Sequence, residues 1–305
     1  MPRDHFGSGH RFLPKNEILS FEEIGRLVGV LRSLGLEKVR LTGGEPLLRA
    51  ELVELIAQLR AHEGLDIALT TNGSLLARQV DSLKQAGLDR LTLSLDALDE
   101  ATFQRMTDSD YGVADVLSGL DAAERAGFQP IKINCVVRRG VNESEILPLA
   151  RRFRQSGHIV RFIEYMDVGL TNGWRLDEVM SGQEIVARIT QAHPAEPVGP
   201  TRPGEVARRY RYLDGAGEFG VITSVTRPFC GDCTRLRLTA DGKLHTCLFS
   251  PVGLDLRPLL RGGADDATLR DHLEKVWQSR DDRYSELRSQ RVQGLRRPEM
   301  SYVGG

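Results

Sequence analysis

The chain has no long apolar run, almost no net charge and only four cysteines in 305 residues. Each scarcity removes a class of function. No stretch reaches the roughly 20 apolar residues that a membrane-spanning helix needs, and the polar opening MPRDHFGSGHRFLPKNEILS contains no apolar signal segment. A formal net charge of -1 supplies no bulk attraction to nucleic acid or to a membrane surface, so neither is expected as a partner. Four cysteines, three of them in metal-ligand spacing, fit a reducing cytoplasm better than a disulfide framework. Internal repeats and low-complexity tracts are missing as well. What is present, 40% hydrophobic and 27% charged residues, suits a globular chain with one large domain or one domain and a smaller appendage.

Along the chain, segments of helical and strand periodicity alternate. SFEEIGRLVGVLRSLG predicts a helix, with Ser20 as cap and Glu23 three residues on, and KVRLT predicts a short strand before the turn GGEP. The alternation continues through LVELIAQLRAHEG, DIALTTNG, LLARQVDSLKQAGL, RLTLSLDA, the helix around residues 113–126, PIKINCVVRRG, EILPLARRFRQSG and IVRFIEYMDVG. Strand and helix joined by short links predict a parallel α/β sheet, barrel-like or doubly wound. The turns GGEP, TTNG, SLDA and EYMDVG all fall at strand C-terminal ends, where such folds carry their chemistry. After about residue 170 the pattern changes: one more helix (SGQEIVARITQA), a tract rich in Pro, Gly and Arg over 194–218, then FGVITSV and a hairpin turning at Asp241-Gly242.

Three cysteines lie in that last part. Cys230, Cys233 and Cys247 read Cys-x2-Cys-x13-Cys in FCGDCTRLRLTADGKLHTCLF, a grouping that usually holds a metal. A structural zinc site wants four closed ligands, and His245 could complete a Cys3His set. A [4Fe–4S] cluster on three thiolates leaves one iron open. Spacing alone leaves the two level. Arg235 and Arg237 alternate in TRLRL, which on a strand would place both guanidiniums on one face beside the metal, a pocket for an anion or a nucleobase edge. Cys135, in the apolar run IKINCVV, reads as a core residue.

The set LTGGEP, TTNG, LSLDA, IKIN, RFIEYMDVG, FCGDCTRLRL, GKLHTCLF and terminal YVGG, in this order, resembles the GTP 3′,8-cyclase family of molybdenum cofactor biosynthesis, within the radical S-adenosylmethionine superfamily. The likeness runs from about His10 to Gly305. It implies a partial (βα)6 TIM-like barrel over residues 1–190 and a smaller β-containing domain over 191–305 that carries a [4Fe–4S] cluster. By resemblance, Gly43, Gly44 and Glu45 meet the adenosylmethionine amino group, and Thr71, Ser94 and Met166 line the rest of that cofactor's pocket. Lys38, Lys132 and Arg161 match the residues for the triphosphate of GTP, with Asn134 a weaker neighbour on the face of Lys132. A cation inside an apolar strand is costly unless an anion meets it, which favours Lys132 and Arg161 over Lys38. Arg235 and Arg237 match active-site arginines, Cys230, Cys233 and Cys247 match the ligands of the cluster whose open iron takes guanine, and the glycine tail is implied to reach the active site. The implied reaction converts GTP to 3′,8-cyclo-7,8-dihydro-GTP, with a homodimer as assembly and the cyclic pyranopterin monophosphate synthase as recipient.

One family feature is missing. The radical is started by a second [4Fe–4S] on a Cys-x3-Cys-x2-Cys motif near the N-terminus, and this sequence has no such motif. In the family its last cysteine precedes Met-Pro and a loop like FLPKNEILSFEE; this sequence opens Met1-Pro2 and runs into that loop. The expectation is a start assigned to an internal Met, with the first barrel strand and one substrate arginine preceding it. Expressed as written, the chain is expected not to generate the 5′-deoxyadenosyl radical, and detection of 5′-deoxyadenosine would overturn that. The alternatives are an inactive GTP- or metal-binding module and a zinc-stabilised α/β enzyme.

Overall fold

The computed structural model describes residues 13–169, 171–202, 204–231, 233–288 and 298–304. The opening Met-Pro and Gly305 lie outside them. Helix α1 (Phe21–Ser33) starts as its sequence requires: the Ser20 hydroxyl accepts from Glu23 N at 3.2 Å, and Glu23 Oε2 accepts from Ser20 N at 2.8 Å. That reciprocal pair satisfies two of the donors a helix start leaves open. Strand β1 (Lys38–Leu41), helix α2 (Leu52–Arg60), β2 (Asp66–Thr71), α3 (Leu76–Gln85), β3 (Arg90–Ser94), α4 (Glu100–Thr107), α5 (Val113–Arg125), β4 (Lys132–Val137), α6 (Ile146–Phe153), β5 (Ile159–Glu164) and α7 (Gly182–Ala192) follow. Helix α4 has no counterpart in the sequence reading.

Strands β6 (Ala195–Val198), β7 (Arg208–Tyr212) and β8 (Glu218–Ile222) join the same sheet, in the order β1-β2-β3-β4-β5-β8-β7-β6. β1 to β5 and β8 run parallel, and β7 and β6 return antiparallel. The Pro/Gly/Arg-rich tract therefore forms two strands. Pro197 is tolerated because β6 is the sheet edge, where a missing N–H breaks no ladder.

Register sorts the strand residues onto two faces. Ile67, Leu69, Leu91, Leu93, Ile133, Cys135, Val160, Phe162, Phe219 and Val221 form the face packed by helices, each at most 2% exposed. A Leu or Phe so buried contributes about 1.5–3 kcal/mol. The alternate positions hold Lys38, Arg40, Thr70, Thr92, Lys132, Asn134 and Arg161. Parallel sheets buried on both faces read as continuous apolar runs. This one alternates, because its other face is the polar lining of a partial barrel.

Beyond the sheet, β9 (Arg237–Leu238), β10 (Lys243–His245) and β11 (Leu254–Asp255) make a small antiparallel sheet turning at Asp241-Gly242, followed by α8 (Arg257–Arg261), α9 (Asp266–Gln278) and α10 (Met300–Val303). A second core of Leu244, Leu256, Leu260, Leu269 and Leu273 packs on Leu27 and Val30 of α1. Among the described residues no helix is long and apolar enough to cross a membrane.

Candidate active site

The turn after β1 and the turn after β2 are tied by one side chain. Glu45 Oε1 accepts from Leu47 N at 2.9 Å and from the Thr71 hydroxyl at 2.8 Å, and its Oε2 accepts from Asn72 N at 2.8 Å. Burial raises the Glu45 pKa against these donors. Gly43 sits at φ +139°, in backbone space that favours glycine, with nothing within 4 Å of where a Cβ would stand. Gly44 completes the turn. GGEP and TTNG, far apart in sequence, are thus one unit, and Thr71 enters it by orienting Glu45. Ser94 ends β3 and pairs in register with Asn134. Met166, two residues past β5, packs against both the Ile163–Ile222 cluster and the Val168–Phe249–Tyr284 cluster, the latter also touched by Cys247.

Helix α5 holds the TTNG turn from behind. A Cβ on Gly119 would lie 2.5 Å from the Gly73 carbonyl oxygen. Gly→Ala inside a helix ordinarily stabilises by about 1 kcal/mol. Here Gly119→Ala is expected to destabilise by about 1–3 kcal/mol instead, read by urea unfolding, because backbone must move. Stabilisation would show that the turn yields freely.

The polar sheet face is cationic. Lys132 opens β4 and Lys38 opens β1, at the strand ends opposite to the glycine turns, with Arg161 further along β5. Arg161 Nε donates to Asn134 Oδ1 at 2.9 Å, bringing together two residues that the sequence placed in one pocket. Burial first, then the charge of Arg40, lowers Arg161 to about 10. Burial likewise lowers Lys132 to about 8, with Arg161 the next cause, and Lys38 to about 8, with Arg40 next. Lys38 is no plain surface residue: its Nζ lies 3.2 Å from Asp66 Oδ2 without hydrogen-bond alignment. Sequence reasoning missed Arg40, whose Nη1 donates to Thr70 Oγ1 at 2.7 Å and Thr92 Oγ1 at 3.1 Å. Its period-two spacing from Lys38 was the available signal.

The cysteines sit half-buried in the segment between β8 and the small sheet and just past β10. Strand β9 holds only Arg237 and Leu238, so Arg235 precedes it and the expected alternation along one strand does not form. Arg235 instead donates from Nε (3.2 Å) and Nη2 (3.1 Å) to Cys233 Sγ, its guanidinium 5.1 Å over the Phe229 ring. Burial opposes ionisation of Cys233, and Arg235 with Arg280 more than offsets it, leaving that thiol below its ordinary pKa. Burial raises Cys247, with Asp282 adding to the effect. Arg237 is lowered to about 10 by burial and then by Arg235, against the charges of Cys233 and Cys247. Cys233, Cys247, Arg235 and Arg237 are thus electrostatic neighbours, and the charge of Cys230 adds to the rise of Cys247.

Among the described residues no three His, Cys, Asp or Glu side chains close on a single ion. His245 is turned elsewhere: its Nδ1 lies 3.2 Å from the Ser250 carbonyl oxygen, its Nε2 rests against Gly253 without a partner, and its ring meets Tyr302 edge-on. A zinc site needs four donors at one point. Among the described residues His245 does not complete a Cys3His set, and the groups nearest Cys233 are the guanidinium of Arg235 and, through its backbone carbonyl, that of Arg280.

The tail reaches the same region. Tyr302 OH donates to Asp241 at 2.8 and 2.9 Å, Glu299 accepts from the Thr171 hydroxyl at 2.8 Å, and a Cβ on Gly304 would run into Thr42 Oγ1, next to Gly43.

The chain matches the Radical SAM superfamily over residues 3–153 and Molybdenum Cofactor Synthesis C over residues 158–286. It is 50% identical over 331 residues to the GTP 3′,8-cyclase of Acidothermus cellulolyticus, covering 100% of this chain and 91% of that protein. The GTP 3′,8-cyclase of Xanthomonas axonopodis pv. citri is 50% identical over 306 residues, with the same 100% and 91% coverage. The crystal structure of Streptococcus suis SuiB covers 90% of this chain and 63% of its own at TM-score 0.56 and 14% identity, a likeness of fold alone. The chain therefore belongs to the GTP 3′,8-cyclase family of the Radical SAM superfamily.

Proposed function

We propose that the chain is a GTP 3′,8-cyclase, acting on GTP held between the cationic sheet face and the cysteine pocket. The observation that carries this reading is the axis of the site. Lys38 and Lys132 stand at strand beginnings, and Glu45, Ser94 and Met166 at or just past strand ends. Ser94 is level with Asn134, two residues or ~7 Å along the strands from Lys132, and the end of β5 before Met166 is five residues or ~17 Å from the level of Lys132, a span that takes a nucleotide with phosphates at one end and base at the other. Lys38, Lys132 and Arg161, joined by Arg40, bind the triphosphate. Gly43, Gly44 and Glu45, with Thr71, Ser94 and Met166, receive adenosylmethionine. Cys230, Cys233 and Cys247 hold a [4Fe–4S] cluster, and Arg235 and Arg237 position the guanine beside it. When bound, adenosylmethionine and iron–sulfur supply the radical chemistry of the superfamily; this chain's own residues bind, orient and exclude water. The cytoplasm, a homodimer and transfer of product to the cyclic pyranopterin monophosphate synthase belong to the same proposal; the division expected at residues 190 and 191 moves past β8, because β6 to β8 continue the barrel sheet to Ile222.

This sequence carries no Cys-x3-Cys-x2-Cys motif, so the test reads substrate capture. Anaerobic reconstitution is expected to give about four irons and four sulfides per chain, with a visible spectrum changed by GTP. Cys247→Ser is expected to lose the colour, and Cys135→Ser, altering a thiol buried in the apolar layer, to keep it. One zinc, no iron and no colour would sink the reading.

A further inference from the structure

Cys230 and Cys233 lie between β8 and β9, outside every strand and helix. Among the described residues around them the backbone bonds include Arg227 N to Thr223 O at 3.3 Å and Cys233 N to Cys230 O at 3.2 Å. Arg235 adds its two bonds to the Cys233 sulfur from within the same segment, and a further hold on Cys233 comes from elsewhere in the chain. Arg280, two residues past α9, donates from Nη1 to the Cys233 carbonyl oxygen. Its side chain is only 11% exposed, its Nε lies 3.5 Å from Asp282 Oδ2, and its guanidinium carbon stands 4.9 Å from the Trp277 ring centre. An arginine fixed on an aromatic face and an acid, and aimed at a ligand's own backbone, is a clamp.

We infer that Arg280 is a positioning residue for the cluster on Cys230, Cys233 and Cys247, locking the Cys-x2-Cys loop through the Cys233 carbonyl and adding a third guanidinium to Arg235 and Arg237. This rests on the cluster reading above. Three thiolates leave a [4Fe–4S] centre with net negative charge, which grows on reduction. A nearby fixed cation stabilises the reduced form and raises the potential, while an acid such as Asp282 lowers it. Removing the partner of a ligand typically weakens metal retention ten- to a hundredfold.

The test uses the full chain, reconstituted anaerobically. Cys135 is the one cysteine outside the trio, so iron reports the trio alone. Arg280→Gln is expected to release iron to an excess of ferrous chelator ~10–100-fold faster than wild type and to show a lower midpoint potential by EPR titration. Arg280→Lys, keeping charge but losing the planar fork, is expected near the wild-type potential with intermediate retention. Asp282→Asn is expected to shift the potential the opposite way, and it carries the test should Arg280→Gln not fold. Metal-free unfolding in urea is expected to be alike for the two Arg280 variants. Wild-type retention and potential in Arg280→Gln, or an unshifted potential in Asp282→Asn, would overturn the inference. So would equal losses in Arg280→Lys and Arg280→Gln that track apoprotein stability. Wild-type protein that takes up zinc and no iron would overturn the cluster reading beneath it.

Discussion

Lys132→Met is expected to weaken GTP binding by about 2–5 kcal/mol, thirtyfold or more, while making the ligand-free protein more stable. Both effects have one cause. Lys132 and Lys38 are held at about 8 instead of 10.5, by burial first and by Arg161 and Arg40 next. At neutral pH both lysines are protonated in the folded and the unfolded chain, so the folded state bears the whole penalty, on the order of 3 kcal/mol each at most, since both keep some exposure. An apolar side chain of similar length removes it. The triphosphate removes it too, and is lost as a partner in the variant. The sign in pH follows from the depressed values. Between about 8 and 10.5 the unfolded lysines hold protons that the folded ones have released. Stability of the ligand-free chain is therefore expected to rise with pH through that window. GTP affinity is expected to fall over the same range, because the phosphates need the charged form. Calorimetric titration with GTP at pH 7 and pH 9, beside thermal unfolding without it, measures both. Unchanged affinity together with lower stability would mean that Lys132 is a structural residue already balanced by the protein.

Glu164→Gln is expected to destabilise the fold by about 3–5 kcal/mol, among the largest single-residue effects available here. Glu164 ends β5 at 0% exposure. Its Oε1 accepts from Gly182 N at 2.7 Å and Thr226 Oγ1 at 2.5 Å, and its Oε2 from Val225 N and Thr226 N, both at 2.8 Å. None of these partners is a cation; the charge is carried by oriented donors and by the start of α7, where a negative group is favoured. An amide would turn its own N–H groups against donors aimed at a carboxylate oxygen. A carboxylate at the same helix start but near the surface, Glu184, pairs with Arg139 at 2.7 Å at 46% exposure. Glu184→Gln is expected to cost no more than about 1 kcal/mol. Urea unfolding of both variants tests the contrast, and a Glu164→Gln loss within 1 kcal/mol of the Glu184→Gln loss would refute it. Because Val225 and Thr226 lead directly to Phe229 and Cys230, Glu164→Gln is also expected to retain less iron.

Much of the fold was legible in the chain because its signals are local. The Ser20–Glu23 capping box, the apolar periodicity of the helices and the strand-turn pattern depend on residues a few positions apart, and each helix and strand predicted between residues 20 and 192 forms. Helix α4 went unread, although Asp99 caps it by accepting from Thr102 N at 2.8 Å. Strand β6 was hidden by Pro197, which a strand tolerates at an edge, and β7 by its run of arginines. That β6 would be the edge, with β7 beside it, is a property of the assembled sheet.

The site divides in the same way. The residue types that carry chemistry, from the cysteine trio to the glycine turn and the lysines and arginine in apolar strands, are set by sequence alone, since spacing and side-chain chemistry need no partner to be recognised. The tertiary structure decided how they meet. It joined GGEP to TTNG through Glu45, brought Arg40 onto the face of Lys132 and Arg161, turned His245 away from the thiols toward Ser250, moved Arg235 off the strand and onto Cys233, and delivered Arg280 from the far end of α9. The Glu45, Arg40 and Arg280 contacts join segments 26 to 52 residues apart, while His245 and Arg235 turn to partners five and two residues away. Parallel pairing, burial and the placing of a few charged side chains fix them, and no local pattern in the chain encodes them.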